Sequence, residues 1–131
     1  MTALERTSRA GLFSALVLAA SPLAQASDLE AGQAAFAACA SCHQIGPSAR
    51  AGFGPQLNGV LGRRAGSTPD FQYSAAMKKA DFVWDEKRLA AFIKDPDRTV
   101  PGTKMRFWGF GYDDKRIAAL MVYLRANPAP R

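Results

Sequence analysis

The chain predicts an all-α fold in a single domain, and three observations carry that prediction. Apolar and small residues recur at helical intervals near both ends, as Leu29, Gly32, Phe36 and Cys39 and again as Ile117, Leu120, Met121 and Leu124. Between them lie stretches dense in Gly and Pro that hold no sustained period. No run alternates apolar and polar residues as a half-buried strand would, and no internal repeat or second domain is visible in 131 residues.

The first 26 residues read as a secretory leader rather than as part of the fold. Arg6 and Arg9 form a basic start, residues 12–20 an apolar run, and Ala24-Gln25-Ala26 a small-x-small cleavage pattern. The alternative is an uncleaved membrane anchor, but the apolar run is roughly half of the ~20 residues that a span needs. Cleavage leaves residues 27–131 as the exported domain, with no membrane span. Removing Arg6, Arg9 and Glu5 from 17 cations and 11 acids leaves 15 and 10, a net of +5. Mild basicity suits an acidic protein partner or an anionic surface. Nucleic acid is excluded as a partner, because no basic cluster interleaves with aromatics on a recognisable binding module.

Ser27-x-x-Glu30 has capping-box spacing and predicts an N-terminal helix from there toward Cys39. Gly32 has no capping task at its position and reads as a close-packing point against another helix. Gly46 to Asp70 is a long loop, a kind of segment that usually serves a function in a compact domain, such as wrapping the edge of a cofactor. Tyr73 to Ala80 reads as a short helix. Asp85 caps another, with Leu89, Phe92 and Ile93 on one face, ending before Pro96. Pro96 to Gly111 is again irregular. The last helix starts near Asp113 or Asp114 and is stopped by Asn127-Pro128.

The chemistry is concentrated in Cys39-Ala40-Ser41-Cys42-His43. Two thiols at this spacing can each add to one vinyl group of a haem, and the histidine that follows then lies close enough to bind the iron. C-x-x-C-H is the pattern of covalent haem attachment. A dithiol redox pair is the first alternative, but such a pair usually opens a helix after a strand, and no strand-like run precedes Cys39. A structural zinc site is the second, and it needs four ligands where this chain has two Cys and one His. Both cysteines being in the motif, none remain for a disulfide. A buried haem would add a large apolar body to a core near the lower size limit for independent folding.

With His43 the only histidine, a second imidazole ligand from the same chain is excluded. Thioether sulfur is the common alternative and favours a high potential. Met77 and Met121 fall in helical patterns where methionine fills core gaps. Met105 follows Pro101-Gly102 in an irregular segment able to hold a ligand against the iron. On residue chemistry alone, Met105 and an open sixth position both stand.

The chain resembles the class I cytochromes c, the small carriers of mitochondria and bacterial periplasms. The matching pieces are Gly32-x-x-x-Phe36, Cys39-x-x-Cys42-His43, Gly54-Pro55-x-Leu57-x-Gly59 and Gly62-Arg63. Then follow Phe71-x-Tyr73-Ser74, Trp84, Pro101-Gly102-Thr103-Lys104-Met105-x-Phe107 and Leu120-x-x-Tyr123-Leu124. The resemblance implies the cytochrome c fold, with crossed terminal helices plus short helices and long loops around one covalently bound haem c. Cys39 and Cys42 would form the thioethers, with His43 the proximal and Met105 the distal iron ligand. Pro55 would accept the hydrogen bond of the other His43 nitrogen. Tyr73 and Trp84 would donate to a buried propionate whose charge Arg63 stabilises. Gly32 and Phe36 would meet Leu120 and Tyr123 where the terminal helices cross.

Departures accompany the likeness. Phe92 stands where many relatives have a tyrosine bonded to the axial sulfur, and Met77 where a polar residue often joins a buried water network. Ala38 and Ser41 are neutral where lysines often ring the haem edge, and Asp97 adds an acid. The implied function is one-electron transfer by a soluble periplasmic carrier, not an enzyme, with donor and acceptor redox complexes as transient partners. Its rivals are a haem enzyme or gas sensor with a vacant sixth site, and a subunit held permanently in a larger complex.

Overall fold

The computed structural model describes residues 19 and 21–131, and the apolar run read as a leader lies almost wholly outside the described residues. Among the described residues five helices follow in order: α1 Pro22–Phe36, α2 Ala75–Lys79, α3 Glu86–Lys94, α4 Pro96–Thr99 and α5 Asp114–Arg125. Among the described residues the only strand-like pairing is one isolated antiparallel bridge, Arg64 with Val83. The all-α expectation holds.

The first helix begins earlier than the capping box at Ser27 predicts. Ser21 is the extended N-cap and Pro22 takes the first turn, a place proline fills without losing a bond. Ser27 instead sends its hydroxyl back to the Ala24 carbonyl, 2.8 Å away, inside the helix. Leu29 is also largely exposed, so the packing face is Gly32, Ala35 and Phe36.

That face crosses α5. A Cβ on Gly32 would sit 2.7 Å from Tyr123 Cβ and nearer still to the Ala119 carbonyl, so only glycine lets the helices approach this closely. Phe36 and Tyr123 pack beside it with ring centroids 5.5 Å apart. Ile117, Leu120, Met121 and Leu124 point inward from α5, as the period predicts.

The short helices start at side-chain caps. Ser74 accepts from Met77 N–H, Asp85 from Arg88 N–H, and Asp113 from Arg116 N–H. The fourth helix, α4, has no counterpart in the sequence reading. Asp95 caps it and Pro96 opens it, a start signal too short to show any period. Met77 and Met121 are both buried, as expected of core fillers.

The remaining described residues are mostly loop, and hydrogen bonds tie them down. Asn58 is buried and exchanges two bonds with Gly46, accepting from its N–H at 2.8 Å and donating to its carbonyl at 2.7 Å. Gly62 N–H donates to Trp84 O, Trp84 N–H to Arg63 O, and Ala65 N–H to Phe82 O. These bonds set Arg63 beside Trp84.

Candidate functional site

The cysteine-histidine motif continues α1 through two more turns. Cys39 N–H bonds to Phe36 O at 2.8 Å and His43 N–H to Cys39 O at 2.9 Å. Helical turns bring residues three and four apart to one side, so Cys39, Cys42 and His43 line the same cavity. The spacing in the sequence is thereby a geometric requirement.

This cavity, of about 360 Å³, is bounded by α1, α3, α5 and both long loops. Its walls are chiefly apolar, with Leu57, Phe71, Met77, Phe92 and Leu120 among them. Met105 lines it, as do Pro55, Arg63, Tyr73 and Trp84. All eight residues singled out in the sequence therefore meet at one place. Met121 does not line it, whereas Met77 does.

His43 is held through Nδ1, which lies 2.8 Å from the Pro55 carbonyl oxygen. A carbonyl can only accept, so Nδ1 carries the proton and the Nε2 lone pair is left for a ligand bond. Burial lowers the imidazole pKa, the Pro55 bond raises it, and the Arg63 charge lowers it further. The neutral ring is the metal-binding form. Gly54 makes room for it, since a Cβ there would sit 2.6 Å from Nδ1. Burial also pushes the Cys39 thiol up, against a Tyr112 hydrogen bond that lowers it. That environment favours uncharged sulfur, which a thioether is.

The polar side of the cavity is made of donors. Arg63 donates to Gln56 O at 2.9 Å and Asn58 O at 3.1 Å. Burial lowers its pKa, with Tyr73 and Asp70 opposing, and it stays cationic at neutral pH. Trp84 is buried and lines the cavity. Tyr73 has its hydroxyl against Thr68. Lys104 and Arg106 also line the cavity, while no Asp or Glu among the described residues does.

This structure therefore fits a haem on its own terms. The apolar walls suit a macrocycle, the acid-free donor side suits carboxylates, and the imidazole presents a lone pair. Trp84 lines the same cavity as Arg63 and Tyr73, and its indole N–H is a further donor that a propionate can accept from.

The Met105 loop is braced by Thr103 and Asp97, whose bracing role has no signal in the sequence. Thr103 is buried, its hydroxyl accepts from Met105 N–H at 3.4 Å, and its carbonyl accepts from Arg106 at 3.1 Å. Asp97, read as an acid that weakens a basic face, accepts from Gly102 N–H at 3.0 Å and so holds the loop in place. Gln56, Asn58 and Thr68 were also missed. Each acts through hydrogen bonds between loop residues, which leave no periodic signal.

The family of the chain follows from comparison with known proteins. A family model described as Cytochrome c matches residues 29–128. Cytochrome c2 of Agrobacterium tumefaciens (strain II Chrys) is 43% identical over 108 residues, covering 78% of this chain and 97% of that protein. Cytochrome c2 of Blastochloris viridis is 40% identical over 115 residues, covering 87% and 90%. Among solved structures, cytochrome cH from Methylobacterium extorquens superposes with a TM-score of 0.69 at 39% identity, over 76% of this chain and 98% of that one. The cavity, its motif and these likenesses agree: the chain belongs to the cytochrome c family as a class I member, a one-electron carrier and not an enzyme, built on one covalently attached haem c.

Proposed function

We propose that this protein is a periplasmic electron carrier whose haem is held by thioethers from Cys39 and Cys42 and ligated by His43 and Met105. What carries the reading is that both sulfurs, the imidazole and the Met105 side chain line one apolar cavity. The haem supplies an iron centre that takes up and gives back one electron. The chain's own residues set the conditions for that exchange. Pro55 fixes the imidazole tautomer and strengthens His43 as a donor. Thr103 and Asp97 hold the Met105 loop rigid. Arg63, Tyr73 and Trp84 bind the propionates, and the apolar walls keep water from the centre.

Held by both His43 and Met105, the iron would leave no place for a substrate, which is what separates a carrier from a haem enzyme or gas sensor. Residues 1–26 act as the export leader, and the domain works after their removal. No helix among the described residues is long and apolar enough to cross a membrane. The partners are redox proteins that donate and accept single electrons at the haem edge, near Lys104 and Arg106.

Two measurements test this. Protein matured in a competent host keeps its haem through acidic organic solvent, and extraction of the haem would overturn the thioether assignment. The ferric form shows the weak long-wavelength band of sulfur on iron. Met105→Ala removes that band, lowers the potential and opens the site to azide, while Met77→Leu and Met121→Leu leave the band in place. Loss of the band in either of those variants, with Met105→Ala unchanged, would reassign the ligand.

A further inference from the structure

Of the donors that face the propionates in this reading, Tyr73 differs in one respect. Arg63 is pinned on two backbone carbonyls, and the direction of the Trp84 N–H is fixed by its ring. A tyrosine hydroxyl rotates, so something must decide where its single proton points. Thr68 stands beside it. This threonine is buried, and its Oγ1 lies 2.6 Å from the Tyr73 hydroxyl oxygen. Its backbone N–H is directed at the same oxygen from 3.4 Å.

The backbone N–H can only donate, so the Tyr73 oxygen accepts there. Two arrangements remain for the hydroxyl pair. If Tyr73 donates to Thr68, its proton is spent on a neighbour, and the threonine proton has no acceptor among the described residues. If Thr68 donates, the Tyr73 oxygen receives two bonds and its own proton is left to point away from Thr68. Tyr73 lines the cavity and Thr68 does not, so only the second arrangement offers a donor to an anion inside. It also forms a chain of hydrogen bonds in one direction, in which each bond polarises the next. A β-branched, buried side chain suits the task because its χ1 has little freedom.

We infer that Thr68 is a positioning residue for the Tyr73 hydroxyl, directing its proton onto a haem propionate. This rests on the haem reading above, with Tyr73 as a propionate ligand.

The test is the midpoint potential of the holo-protein, measured by spectroelectrochemistry in Thr68→Val, Thr68→Ser, Tyr73→Phe and the Thr68→Val/Tyr73→Phe double variant. Donors to a propionate offset its negative charge, which otherwise favours ferric iron, so losing one lowers the potential. Tyr73→Phe gives the largest drop and Thr68→Val a smaller one in the same direction. Thr68→Ser restores the wild-type value, and Thr68→Val adds nothing once the Tyr73 hydroxyl is gone. Thr68→Ala carries the same expectation with less steric change, should valine hinder maturation. If Tyr73→Phe lowers the potential and the hydroxyl-free Thr68 variants do not, the inference about Thr68 falls while the propionate reading stands. The same holds if Thr68→Val lowers thermal stability alone, or lowers the potential equally with and without the Tyr73 hydroxyl. If Tyr73→Phe leaves the potential unmoved, the propionate reading of Tyr73 is overturned, and Thr68 with it.

Discussion

Two glycines do the same physical work in two parts of this molecule. Gly32 lets α1 lie against α5, where a Cβ would press on Tyr123 and Ala119. Gly54 lets a loop lie against the His43 ring, where a Cβ would press on the imidazole. The first closes a contact between two helices, and the second closes the wall of the cofactor cavity. Close approach in the helix crossing supports the whole fold, because both termini are joined there. In the loop wall it supports one side chain. The same steric conflict should therefore destroy stability in one place and ligand geometry in the other.

The largest effect is expected at the crossing. Gly32→Val forces the helices apart, and overpacking of a tight contact costs typically 1–3 kcal/mol, about. Both obstructing groups include backbone or Cβ atoms, which cannot rotate away, so this variant belongs at or above the upper end of that range. Denaturant titration of the holo-protein reads it. The haem spectrum of the fraction that folds stays as in the parent. A variant as stable as the parent would show that α1 and α5 can separate without loss.

Gly54→Ala comes next and has the opposite signature. The new methyl meets an imidazole held by one hydrogen bond to Pro55, a far weaker restraint than a packed helix backbone. The ring tilts, the Pro55 bond stretches, and the potential and ligand-field absorption change. Stability falls less than in Gly32→Val. If both spectrum and potential were unchanged, the wall would be looser than the structure describes.

The contrast also explains what could be read in the sequence. The two terminal helices are legible from their periods and Gly32 as a close-packing point, while the crossing of these two helices rests on the family resemblance. Capping residues gave the starts of α3 and α5, since Asp85 and Asp113 each precede an apolar period. Ser21-Pro22 starts α1 six residues before the capping box at Ser27 and within the stretch read as a leader, so the reading of the exported chain begins its helix at Ser27. The cavity wall has no period at all. His43 is legible from C-x-x-C-H and Met105 is a candidate from its irregular segment, whereas Arg63, Tyr73 and Trp84 rest on motifs that resemble a known family. Thr68, Asn58 and Gln56 had neither kind of signal. Their roles depend on loop backbone conformation, which one sequence does not display.

A smaller effect is expected at the mouth of the cavity, where the loop wall meets solvent. Lys104 donates to the Gln72 carbonyl at 3.3 Å and Arg106 to the Thr103 carbonyl at 3.1 Å, so both cations stay near the opening. Few others do, because Ala38 and Ser41 are neutral. Phe53 lines the cavity, is exposed, and adds contact area that salt does not screen. At physiological ionic strength charges beyond about 8 Å are largely screened. The electron-transfer rate with the native partner should then fall only modestly along a salt series. Lys104→Glu or Arg106→Glu should slow it more than Arg125→Glu, whose guanidinium is engaged with Glu86 on the surface. Stopped-flow kinetics measure both trends, and a fall of several decades with salt would mean a stronger basic face than these residues provide.

The smallest effect belongs to the rim of the helical region, where α5 begins with two adjacent acids. Asp113 caps the helix by accepting from Arg116 N–H at 2.8 Å, whereas Asp114 receives the Lys94 ammonium at 2.5 Å. Asp113→Ala loses a cap and should cost about 1 kcal/mol. Asp114→Asn loses only an ion pair whose side chains are 49% and 93% exposed, and water screens such pairs heavily. The Lys94 hydrogen bond, then its charge, hold the Asp114 carboxyl below its ordinary pKa. A carboxyl with a lowered folded-state pKa stabilises the fold above its unfolded value, near 3.9, and loses that contribution as pH falls through the folded value. Asp114→Asn should therefore be slightly less stable than the parent at pH 7, and the gap should close as acid protonates the aspartate. Added salt should narrow it as well. Denaturant midpoints of parent, Asp113→Ala and Asp114→Asn at pH 7 and pH 3 decide the matter. A gap for Asp114→Asn as wide as that for Asp113→Ala, or one that persists at pH 3, would show that Asp114 acts on the helix itself rather than through Lys94.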